Sequence, residues 1–130
     1  MKKGSALIMI IRFSGLIQLI LGGVVWAIEA DYLIMPHMTI GTIFTIALFI
    51  ITYKAYRAGI SKGLVILAAV WALILPIWGA SQESILPESY VWISKVLHLI
   101  CGVGAIGLAE MMTLQMSKIT PSPVKGAAGK

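Results

Sequence analysis

Val96-Leu97-His98-Leu99-Ile100-Cys101-Gly102-Val103-Gly104-Ala105-Ile106-Gly107 sets one histidine inside an apolar, glycine-rich run long enough to be crossing a membrane. An imidazole there needs a partner, because polar groups in hydrocarbon are costly when left alone. Far upstream His37 opens another apolar run, and both histidines are followed four residues later by glycine: His37-Met-Thr-Ile-Gly41 and His98-Leu-Ile-Cys-Gly102. Positions four apart share a helix face. Each histidine therefore has a residue without a side chain one turn below it, which gives a flat, bulky ligand room to lie against the helix.

The surrounding composition decides the class. Of 130 residues, 59% are hydrophobic and only 12% charged, against roughly 25% charged in soluble domains, and the mean hydropathy is +0.97. These values describe an all-α integral membrane protein, since lipid offers no partner for backbone N–H and C=O groups outside helices or closed barrels. The net charge of +5 comes from lysines and arginines at the ends of apolar runs rather than from a basic patch, so membrane topology accounts for it and nucleic acid is not an expected partner. The single Cys101 excludes an intramolecular disulfide and any CxxC motif. The run from Ala6 to Ile28 after Met1-Lys2-Lys3 exceeds the roughly 7–15 apolar residues of a signal peptide. It reads as a retained first span.

Four spans are expected, at about 6–28, 37–52, 64–80 and 90–115, forming one domain over 1–117 with a solvated tail at 118–130. Pro36 suits the first helical position of the second span, where its missing N–H is no loss, and Pro76 predicts a kink in the third. Lys2, Lys3, Lys54, Arg57, Lys62, Lys118, Lys125 and Lys130 fall on one side, and Glu29, Asp31, Glu83 and Glu88 on the other. Both termini are then cytoplasmic by the positive-inside rule. Trp26, Trp78, Trp92, Tyr32 and Tyr90 read as an outer aromatic belt without chemistry, Tyr53 and Tyr56 as an inner one, and Trp71 as core filling. The layout expected is a multi-pass protein of a prokaryotic cytoplasmic membrane.

Depth brings the histidines together. At a rise of about 1.5 Å per residue, both imidazoles lie within roughly 10 Å of the outer boundary, His98 just beyond Lys95, which can snorkel outward. The chain then reads as two hairpins, each with HxxxG at the outer end of its second helix, related as parallel repeats about an axis along the membrane normal. Histidines facing each other across a four-helix bundle suit bis-histidine ligation of haem b near the outer leaflet, the iron held by His37 and His98. Gly41 and Gly102 would admit the ring, Phe44 and Ala105 would line the slot further in, and Lys95 could pair with a propionate. The plainer reading makes the glycines helix-packing residues and leaves each histidine bonded to nearby backbone. Met35, Met38 and Cys101 near the histidines also spell a soft-metal site for copper, although lone methionines in apolar sequence usually pack.

Arg12 and Glu110 match in depth, each about six residues or roughly 9 Å from the inner boundary. An ion pair between spans one and four is expected, with a proton path or the foot of a quinone site as the sharper alternative. Gln18, at mid-depth, reads as interhelical glue.

In these residues the chain resembles the four-helix membrane b-type haem proteins, and in layout from about Leu16 to Glu110 it resembles one half of a heme A synthase, carried by the two HxxxG segments. That family's glutamate a turn before the histidine and arginine just after it are missing around His37, as is its extracellular cysteine pair. What the resemblance implies is axial ligation at His37 and His98. The expected function is electron transfer or haem sensing and storage, a carrier or binding protein rather than a catalyst, with a quinone or redox protein as partner and a homo-oligomer or larger complex as setting. The competing class is a non-redox accessory subunit or small transporter whose histidines are structural or hold copper. A small multidrug-type exporter would want a carboxylate in mid-membrane of the first span, where this chain has Gln18.

Overall fold

The computed structural model describes residues 3–119, and side chains from residue 6 onward. Lys2, Lys125, Lys130 and all but the first two residues of the expected tail lie outside the described residues. Four helices follow one another: α1 (Lys3–Ile28), α2 (Ile34–Arg57), α3 (Lys62–Ile85) and α4 (Val91–Ile119), with single 3-10 turns at Asp31–Leu33 and Glu88–Tyr90. All four are long and apolar enough to cross a membrane, which makes this a multi-pass integral membrane protein built as a four-helix bundle. Helices run beyond the expected spans at several ends, because lysines, arginines and glutamates that leave the hydrocarbon need not leave the helix. Pro36 accordingly occupies the third helical position rather than the first, still within the turn whose N–H groups have no intrahelical acceptor. Helix α3 continues through Pro76.

The short connections impose an up-and-down order. Helix α1 ends at Glu29, a non-glycine residue in the left-handed region at φ 51°. Helix α2 ends in a Schellman motif: Gly59 takes φ 77°, its N–H donates to the Tyr56 carbonyl at 3.0 Å, and Ile60 N–H donates to the Ala55 carbonyl at 3.0 Å. The accompanying apolar contact follows, since Ala55 and Ile60 are both buried. Within the spans Ser14, Thr42, Thr52 and Thr113 donate their hydroxyls to carbonyls four residues back, so these side chains ask nothing of the lipid.

Helices adjacent in sequence pack together, α1 closes the ring against α4, and α2 touches α4 across the diagonal. The dense core occupies the half of the bundle nearest the α2–α3 connection: Ile8 and Ile11 of α1, Leu48, Ile51 and Ala55 of α2, Ala68 and Ala72 of α3, and Ala105, Ala109 and Met112 of α4. Close approach depends on Gly15, where a Cβ would stand 2.7 Å from Ile106 Cδ1 and 3.2 Å from the Phe44 ring. Trp71 does fill space against this core, and it also ties α3 to α4 by donating its indole N–H to the Cys101 carbonyl at 2.8 Å. Toward the outer face the interior opens.

Candidate functional site

Between the outer halves of the four helices lies a cavity of about 380 Å³, within the range of about 300–1,000 Å³ usual for small-molecule sites. Every helix contributes to its wall, and both histidines line it. The reason is local. His37 lies in the first turn of α2 and His98 two turns into α4, and because these helices face each other across the diagonal both imidazoles reach one cavity.

Each imidazole rests on a glycine of the other helix in its own hairpin. At Gly22 of α1 a Cβ would stand 3.1 Å from His37 Cε1, and at Gly79 of α3 a Cβ would stand 3.0 Å from His98 Cε1 and 3.3 Å from its Nε2. These two glycines are the cradles, and both were passed over in the sequence, where the eye goes to glycines on the histidines' own helices. The signal was present: Gly22 and Gly79 are the first-helix positions that a tight hairpin brings level with the histidine of its second helix. This recurrence supports the two-hairpin repeat.

Gly41 and Gly102 prove to differ from each other. The space where Gly41 would carry a side chain is taken by the carboxamide of Gln18, so this glycine accommodates a neighbouring helix's polar group. A Cβ at Gly102 meets nothing within 4 Å, and both glycines line the cavity. Phe44 and Lys95 also line it, Phe44 being buried where the cavity meets the core. Ala105 does not: it is fully buried and belongs to the apolar core rather than to the wall. Lys95 reaches Glu83 of α3 at 3.5 Å across the outer mouth.

The cavity is rich in unanswered polar atoms. His37 Nδ1, His98 Nδ1, Gln18 Oε1 and Gln82 Oε1 are all buried without a hydrogen-bond partner, and all four residues line this cavity. A bundle that merely packs its histidines would bond them to neighbouring backbone; here that bond is missing. One histidine is nevertheless positioned by an aromatic neighbour. Trp78 stands edge-on to the His98 ring, with centroids 6.5 Å apart at 68°, and donates its N–H to the buried Ser94 hydroxyl at 2.8 Å. Trp78 is thus a structural post beside the site and not only an interfacial anchor.

The soft-metal set comes apart. Met38 lines the cavity, whereas Met35 and Cys101 do not, Met35 being 70% exposed. Among the described residues no three histidine, cysteine or acidic side chains converge. Arg12 and Glu110 do meet: Arg12 Nη2 donates to Glu110 Oε2 at 2.9 Å, and Nε donates to Oε1. This pair lies on the outside of the bundle and does not reach the cavity.

No protein-family model matches the chain, nor does any curated protein or solved structure.

Proposed function

We propose that the cavity binds one haem b, with His37 and His98 as the axial ligands, and that the protein carries electrons or holds haem rather than catalysing a reaction. The observation that carries this reading is the pair of imidazoles, one from each hairpin, on the wall of a single interhelical cavity with their buried Nδ1 atoms unpartnered. A ligating histidine uses one nitrogen for the metal and leaves the other for a hydrogen bond that orients the ring.

The rest of the wall fits the same ligand. Apolar residues such as Phe44, Leu75 and Ile106 suit a macrocycle's faces, while Lys95 and Gln82 would take its polar edge near the mouth. Lys95 can take up a propionate because its present partner, Glu83, has a 78% exposed side chain, and exposed pairs of this kind are weak. Bound there, haem would supply one-electron chemistry. With two protein ligands the chain leaves no open coordination position, which favours electron transfer over substrate turnover. A membrane quinone or a redox protein at the outer surface would be its partner, and the cytoplasmic membrane of a prokaryote its setting.

The test is the absorbance of the purified protein in detergent, before and after added haem. A Soret band with sharp α and β bands on reduction is expected, turning high-spin or vanishing in His37→Ala and in His98→Ala. Gly102→Leu should lower haem occupancy with both ligands in place, by filling the opening. A protein that stays colourless after haem addition, with both histidine variants as stable as the parent, overturns the proposal. Copper binding without a Soret band, abolished by Met38→Leu, would replace it.

A further inference from the structure

The Arg12–Glu110 pair sits on a membrane-spanning part of the surface, yet the Arg12 side chain is 54% exposed and that of Glu110 29%. Both residues lie well inside the spans Ala6–Ile28 and Glu88–Ile119. Counted from the helix ends at Lys3 and Ile119, the two residues are equally deep, each about 13 Å in. A guanidinium has five N–H donors, and the two bonds to Glu110 use one on Nε and one on Nη2. The remaining three find no acceptor among the described residues, and hydrocarbon offers none. A lipid headgroup is badly placed to help. Arginine normally snorkels toward the boundary, but the bonds to Glu110, at the same level on α4, hold this guanidinium inside the span.

An acceptor at this depth has to come from protein. We propose that the α1/α4 seam around Arg12 and Glu110 is the contact face of a homodimer. A second copy inserted in the same orientation is related by a two-fold axis along the membrane normal, which puts every residue at the level of its own counterpart. Two neutral ion pairs set antiparallel about that axis place each guanidinium beside the partner's Glu110, closing a ring of two arginines and two glutamates. The charge is self-complementary. The flanking surface suits close approach: Leu16, one turn along from Arg12, and Val103 and Leu114, on the Glu110 side of α4, are all more than half exposed. Gly107, one turn from Glu110, would carry a Cβ with nothing within 4 Å, the kind of small residue that lets helices meet in lipid.

The full-length protein, labelled at Ser61→Cys in a Cys101→Ala background, is reconstituted into liposomes as a mixture of donor-bearing and acceptor-bearing copies, and energy transfer is followed as lipid dilutes the protein. Transfer should persist on dilution. The paired Arg12→Leu/Glu110→Leu variant should weaken association by about tenfold, as expected for lost interhelical polar contacts. Gly107→Ala should also weaken it, and because the added Cβ meets nothing within 4 Å in the protomer, folding is not at stake. Transfer no higher than random encounter at every dilution overturns the proposal. So does undiminished transfer in both variants, or a monomer that carries one anionic lipid released by Arg12→Leu in native mass spectrometry.

Discussion

Gly22 and Gly23 are neighbours on α1, and the structure gives them opposite surroundings. A methyl group at Gly22 would stand 3.1 Å from His37 Cε1 and 3.6 Å from Nδ1, whereas one at Gly23 meets nothing within 4 Å. Glycine to alanine in a helix interior brings an intrinsic gain of about 0.5–1 kcal/mol, and this term is common to both substitutions. Gly23→Ala should therefore leave stability unchanged or raise it by that amount. At Gly22 the imidazole must retreat by a few tenths of an ångström to reach ordinary contact distance, and overpacking of this kind costs about 1–3 kcal/mol. The net effect expected for Gly22→Ala is a loss of up to about 2 kcal/mol, and Gly79→Ala should match or exceed it, since His98 lies closer still. The assay is reversible unfolding in mixed detergent micelles, with haem absorbance read in parallel; Gly22→Ala and Gly79→Ala should also disturb the low-spin spectrum while Gly23→Ala does not. Equal stability and equal spectra for Gly22→Ala and Gly23→Ala would refute the cradle argument.

Three further outcomes are expected. Arg12→Leu and Glu110→Leu should each destabilise the bundle more than the double variant does, because each single change leaves a lone charge in the span; additive losses in the double-mutant cycle would show no coupling. Trp78→Phe should cost about 1–3 kcal/mol in the same unfolding assay, since it strands the Ser94 hydroxyl, which is only 1% exposed; a variant as stable as the parent would remove Trp78 from its role beside His98. Impermeant thiol reagents on intact cells should label Ser84→Cys and spare Ser61→Cys, both in a Cys101→Ala background, if the basic loop between α2 and α3 is cytoplasmic; the reverse pattern would invert the protein and move the site to the inner face.

Much of the architecture was legible in the chain. Span number, the hairpin repeat, the shared depth of His37 and His98, and the level meeting of Arg12 and Glu110 all follow from counting along helices whose rise is fixed. Depth is a one-dimensional quantity, and the positions of Lys54, Arg57, Glu83 and the tryptophans mark its limits. What the chain could not declare is how each helix is rotated about its own axis. In water the apolar stripe gives that away, but in lipid the outward and inward faces are both apolar, so hydropathy carries no such signal. Only the packed structure therefore put Ala105 into the core and Gly102 into the opening, filled the gap above Gly41 with Gln18, and laid His37 and His98 on Gly22 and Gly79. It also set the ion pair on the outer surface of the bundle, a placement that depends on which flanks of α1 and α4 face each other and which face the membrane.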